Sequence, residues 1–156
     1  MTLKILLVED DLEIIEYMLY RIGALFEGAK LDSFQSSRLA LVALDGCSYD
    51  IVISDMGLRD HWTGGRDVLE KANEIGAFSV LYSGVGQYPG LHLDYVLKKP
   101  FSVHDLQEMK CIFEDGDWMS KLKKEALSFV ARLRAKYTLR GISREVSRNR
   151  ATNRVQ

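Results

Sequence analysis

The sequence predicts an α/β fold: a parallel sheet with helices on both faces. Three observations predict it. Short apolar runs alternate with longer stretches of helical periodicity. The apolar runs show little polar alternation, as in strands buried on both faces. Polar, chemically capable residues stand just after several of these runs, where open parallel sheets bind their ligands. The 156 residues, 47% of them apolar, suit one domain with an appendage.

The elements follow in order. Leu3–Val8 is apolar apart from Lys4 and reads as a buried strand. Asp10 and Asp11 then open a helix, with Leu12, Ile15, Leu19, Ile22 and Phe26 at helical spacing. Lys30–Phe34 is a short, weak strand. Leu39, Val42 and Ala43 share one face of a second helix that stops near Gly46. Asp50–Ser54 is a clearly buried strand that delivers Asp55 at its end. Val68, Leu69, Ala72 and Ile75 mark a third helix closed by Gly76. Phe78–Tyr82 is a fourth strand and Tyr95–Leu97 a fifth. Between them, Gly-Val-Gly-Gln-Tyr-Pro-Gly (84–90) is a poor helix, so any helix there is short or missing. Ser102 and Asp105 form a capping box for another helix, with Val103, Leu106, Met109 and Phe113 expected inward.

The charge is uneven. Residues 1–117 carry 10 Lys and Arg against 20 Asp and Glu, while residues 118–156 carry 11 against two. That asymmetry divides the chain into a body at 1–116, an amphipathic basic helix at 117–139 and a basic tail at 140–156, expected to be disordered. Met119, Leu122, Phe129 and Leu133 give the last helix an apolar stripe, a surface for packing or for a homodimer. No apolar run reaches the roughly eighteen residues needed to cross a bilayer, and the N-terminal apolar run is expected to be a strand rather than a signal peptide. A cytoplasmic protein is expected. Cys47 and Cys111 form no metal-spaced pair and are expected to be small core hydrophobes.

Three strand ends carry the chemistry: Glu9-Asp10-Asp11 after the first, Asp55 after the third, and Lys98-Lys99-Pro100 after the fifth. Ser83-Gly84 follows the fourth. Clustered carboxylates repel one another and favour a cation, and an all-oxygen set fits Mg²⁺. A carboxylate can be the nucleophile that forms an acyl phosphate. Phosphoryl transfer needs mainly positioning and charge neutralisation, which Lys99 and a Ser83 hydroxyl hydrogen bond can help supply. Lys99 rather than Lys98 is expected to face the site, because neighbouring strand residues point oppositely.

Glu9-Asp10, Asp55, Ser83-Gly84 and Lys99-Pro100-Phe101, in this order and at strand ends, resemble the receiver domain of two-component response regulators (CheY-like) over about residues 3–115. The resemblance implies a flavodoxin-like, doubly wound, five-stranded parallel sheet in the order 2-1-3-4-5. It implies that Asp55 takes a phosphoryl group from a phosphohistidine on a histidine kinase or phosphotransfer protein. It assigns Mg²⁺ to the Asp10 and Asp55 side chains, the Gly57 carbonyl and, through water, Glu9. Ser83 and Lys99 would sense the phosphoryl group and pass the signal to a protein partner. The sequence departs from the pattern in several places. Arg59 stands where the family usually has Pro. Gly65 comes late, which enlarges the loop holding His61, Trp62 and Thr63. Val96 replaces the usual aromatic before the lysine, with Tyr95 one position off.

Other functions fit less well. A DNA-binding regulator would use the basic tail, but 39 residues after Asp117 are too few for a complete winged-helix domain. An aspartyl-phosphate hydrolase usually has a second Asp two residues after the nucleophile, where this chain has Gly57. The expectation is therefore a signalling receiver and not a conventional enzyme.

Overall fold

The computed structural model describes residues 2–84 and 88–116. Strands and helices alternate along them as β1 (Lys4–Val8), α1 (Leu12–Leu25), β2 (Lys30–Phe34), α2 (Ser37–Gly46), β3 (Ile51–Asp55), α3 (Gly64–Glu74), β4 (Phe78–Ser83), β5 (Tyr95–Lys98) and α4 (Val103–Asp115). All strand pairs are parallel, in the order β2-β1-β3-β4-β5. This is the flavodoxin-like arrangement expected. The order reverses beside β1, so the crevice between the carboxyl ends of β1 and β3 is the natural ligand position.

Period-two alternation fills both faces of the sheet. Ile5, Leu7, Ile51, Ile53 and Val80 pack with Met18 and Ile22 of α1 and with Leu106 and Met109 of α4. Leu6, Val8 and Val52 point the other way, onto Ala40 and Leu44 of α2 and Val68 and Ala72 of α3. Each fully buried Leu or Ile contributes roughly 1.5–3 kcal/mol.

Local signals set the helix ends. The Asp11 side chain caps α1 by accepting the Glu13 and Ile14 N–H groups at 2.9 and 3.3 Å. Ser102 and Asp105 form the expected capping box at the start of α4. Gly76 follows α3 with φ 74°, a conformation that glycine adopts without strain.

Some side chains face differently from expectation. On α1, Met18 is buried in the stripe and Leu12 is exposed. On α2, Leu39 and Val42 are 55% and 65% exposed, and the inner face is Ser37, Ala40 and Leu44. Both sets have helical spacing. Close approach decides between them: a Cβ on Gly64 would come within 2.5 Å of Ser37 Oγ, so the contact with α3 admits only small residues. Val103 is in the first turn of α4 and is exposed, while Phe113 is partly buried against Phe26 and Phe78. Cys47 and Cys111 are exposed and are not core residues: one ends α2 and the other lies on the outer face of α4.

Between β4 and β5, Gly84 and residues 88–94 form no helix. Asn73 Nδ2 donates to the His92 carbonyl at 2.8 Å, and Asp94 accepts the Ser79 N–H and hydroxyl at 2.9 and 3.1 Å. The expected basic helix at 117–139 and tail at 140–156 lie outside the described residues.

Candidate functional site

Each strand end contributes one part of the site. β1 runs out into Glu9 and Asp10, β3 ends on Asp55, β4 on Ser83, and β5 leads into Lys99. Asp55 shares its alternation with the inward Ile51 and Ile53, and Lys99 shares its own with the buried Leu97. Lys98 is exposed, as the alternation argument requires.

Lys99 joins the cluster. Its ammonium lies 2.9 Å from Asp55 Oδ2 and 3.0 Å from Glu9 Oε2, and sits over the Tyr82 ring at 4.4 Å. Tyr82 stands beside Asp55 in register and packs edge-on against Phe101. Glu9 is 1% exposed, and its other oxygen accepts the Asp10 and Asp11 N–H groups. Asp55 Oδ1 accepts the Met56 N–H at 2.7 Å.

Burial pushes the Glu9 carboxyl above its ordinary value; the Lys99 ammonium opposes this and the Asp55 charge adds to it. Burial alone would lower Lys99, but hydrogen bonds and attraction from Asp55 and Glu9 outweigh it and hold the ammonium above its ordinary value. One ammonium thus serves two carboxylates. Asp10 completes the group: one oxygen each of Glu9, Asp10 and Asp55 lie within 4.8 Å of one another. Three acids against Lys99 and Arg59 leave one net negative charge, so a further cation is electrostatically welcome. The all-oxygen donor set fits a hard divalent ion.

The structure brings together Glu9, Asp10, Asp55 and Lys99. Ser83 is buried on the next strand, with its Oγ 2.8 Å from the Tyr88 hydroxyl. Gly57 is exposed two residues after Asp55, and a Cβ there would meet nothing. Its proposed ligand is a carbonyl, which any residue would supply.

Three site residues were not found by sequence reasoning. Arg59, noted only as a departure from pattern, donates its main-chain N–H to Asp10 Oδ2 at 3.1 Å and pairs its Nε with the same oxygen at 3.0 Å as an ion pair. Asp60 accepts the hydroxyls of Ser36 and Ser37, each at 2.9 Å, and the Arg38 N–H at 3.2 Å. Burial opposes ionisation of Asp60, but these bonds together outweigh it and bring it down to about 2. Tyr88 is the third. None has a local sequence signal: the partners of Arg59 and Asp60 are distant in the chain, and Tyr88 lies five residues from Ser83. Gly65 was flagged only for its spacing. A Cβ there would overlap the Asp55 carbonyl oxygen and press on the Met56 Cα, so the start of α3 sits directly against the backbone of Asp55. Trp62, in the enlarged loop, is 85% exposed.

No protein-family model matches the chain, and no curated protein matches it. Solved structures do. The chain is similar to a CheY-like response regulator receiver domain from Methylobacillus flagellatus, with 24% identity, a TM-score of 0.62, and coverage of 72% of this chain and 99% of that one. A CheY-like receiver domain protein from Methanospirillum hungatei gives 20% identity and a TM-score of 0.66, covering 76% and 99%. The signal receiver domain of an HD domain-containing protein from Pseudomonas fluorescens gives 18% and 0.65, covering 80% and 93%. With the 2-1-3-4-5 sheet and its four described helices, the chain has the fold of CheY-like receiver domains.

Proposed function

We propose that this chain is a two-component receiver that accepts a phosphoryl group on Asp55 from a phosphohistidine of a histidine kinase or phosphotransfer protein. One observation carries the reading: the Lys99 ammonium bridges Asp55 and Glu9, side chains from three separate strand ends that also flank Asp10. Simple helix capping does not require that convergence. Among the described residues no helix is long and apolar enough to cross a membrane.

In the transfer, a lone pair of the ionised Asp55 carboxylate attacks phosphorus as the P–N bond breaks. The imidazole leaves with that electron pair and takes its proton from solvent. Asp55 needs no general base, because it is already a carboxylate. Lys99 stays paired through the step and offsets charge on the new phosphoryl oxygens. The Ser83 hydroxyl donates to one of those oxygens, for which it must turn from Tyr88. Glu9, Asp10, Asp55 and the Gly57 carbonyl would hold Mg²⁺, which when bound neutralises phosphoryl charge. Gly57 offers no general acid, so the chain is a signalling switch that loses its phosphate slowly to water. Its output is contact with a protein partner, in the cytoplasm where histidine kinases deliver phosphate.

Incubation of the full chain with Mg²⁺ and a labelled small acyl phosphate should yield one hydroxylamine-labile phosphoryl group per chain. Asp55→Asn should abolish it, and chelation of Mg²⁺ should suppress it. Undiminished labelling of Asp55→Asn would overturn the assignment.

A further inference from the structure

Two groups of Arg59 approach one atom. Its main-chain N–H and its Nε both end on Asp10 Oδ2. Any residue at this position could donate the main-chain hydrogen bond, but the ion pair needs a long cationic side chain. The Asp10 side chain is 15% exposed and that of Arg59 77%, so the guanidinium covers the carboxylate from the solvent side.

We propose that Arg59 is a built-in counter-ion at the metal-facing carboxylate, and that a divalent cation binds only by displacing its guanidinium. The proposal rests on the metal site described above. Mg²⁺ needs its ligand oxygens at about 2.0–2.1 Å in a near-ideal octahedron. A guanidinium nitrogen already stands 3.0 Å from an Asp10 carboxylate oxygen, and two cations at one carboxylate repel. Guanidinium does not deprotonate in proteins, so only movement can clear it.

The surroundings allow that movement. Asp60, the next residue, is tied to the start of α2 by three hydrogen bonds, and Leu58, the previous one, is buried. The backbone at Arg59 is therefore fixed on both sides while its side chain is exposed. Displacement swings the side chain alone and leaves the main-chain bond in place. It has two effects. Metal affinity is lower than the same acids would have without Arg59. A planar cation, suited to bidentate contact with phosphate, is also freed at the rim only when the metal is in place.

The test is calorimetric titration of the full-length, unphosphorylated protein with magnesium chloride. Exposed ion pairs are weak, so Arg59→Ala should bind Mg²⁺ about two- to fivefold more tightly than wild type. Arg59→Gln, uncharged and similar in length, carries the same expectation should the alanine variant not fold. Arg59→Lys should fall between wild type and alanine. In an Asp10→Asn background, Arg59→Ala should give no gain. Equal or weaker binding by both Arg59→Ala and Arg59→Gln would overturn the proposal, as would a gain that persists without the Asp10 carboxylate. A wild-type protein that binds no Mg²⁺ at all would instead remove the metal site and this inference together.

Discussion

Two connections flank Asp55, and they are held in different ways. The β3–α3 loop is locked. Gly65 sits against the Asp55 carbonyl with no room for a methyl group, Gly64 sits against Ser37, and Asp60 takes three hydrogen bonds at the start of α2. The described part of the β4–β5 connection, residues 88–94, is tied by Asn73 to the His92 carbonyl, by a long 3.5 Å bond from Arg66 to the Pro89 carbonyl, and by Asp94 to Ser79. Among the described residues, Tyr88 of this segment reaches the site through a hydroxyl pair with Ser83. Backbone contact and a multiply bonded carboxylate are costly to undo, whereas a hydroxyl pair reorients easily. The proposed acceptor, Asp55, is thus mounted on the locked side, and Ser83, the proposed phosphoryl sensor, pairs with the other.

Substitutions can break or sharpen that comparison. The largest effect belongs to Gly65→Ala, which forces the start of α3 away from β3 and should cost about 3 kcal/mol or more in urea unfolding. Gly57→Ala, with open space around it, should change stability by less than about 0.5 kcal/mol. Similar costs for both would refute the locked-loop account.

Lys99→Met comes next. It leaves buried Glu9 and nearby Asp55 without their shared ammonium, at about 1–3 kcal/mol at neutral pH. Glu9 is already raised above its unfolded value and rises further in this variant. A raised carboxyl binds more protons in the folded state, so the variant should regain stability as pH falls from neutral toward 5. Urea midpoints at the two pH values give the sign, and a constant deficit would argue against a buried Glu9 charge.

Asp60→Ala should cost about 1 kcal/mol, like the loss of a helix cap. Asp60 is depressed to about 2, below its unfolded value, so its contribution is full above about pH 4 and disappears as pH falls toward 2. The wild-type and Asp60→Ala melting curves should converge over that interval. The smallest effect is Tyr88→Phe, at about 0.5–1 kcal/mol for one lost hydrogen bond. With Mg²⁺ and beryllofluoride bound, the Ser83 hydroxyl is engaged by the mimic and the difference should vanish. A difference that persists would place Tyr88 with the fixed scaffold.

The strands, their order and the acid–lysine set were legible because each depends on local pattern. Continuous apolar runs mark strands buried on both faces, and alternation within β5 selects Lys99 over Lys98. The inner face of α2 was not legible. Leu39 and Val42 are the more apolar residues, but close contact with Gly64 requires Ser37 and Ala40 there. The partners of Arg59 and Asp60 were hidden for a related reason: they lie 49 and 22–24 residues away, joined only by the fold. Cys47 and Cys111 were misjudged because a thiol's usual preference for the interior is weaker than its helix's choice of face.

Those two thiols have a practical consequence. Both are exposed, one at the end of α2 and one on α4, and these helices pack on opposite faces of the sheet. The sheet between them prevents their joining within one chain. In air, one molecule's Cys47 can pair with another's Cys111, and each added chain leaves a free thiol at either end. Such head-to-tail linkage can extend past a dimer. Oxidised samples should therefore run as a ladder on non-reducing gels, and a ladder that collapses with reductant reports thiol chemistry rather than regulated self-association.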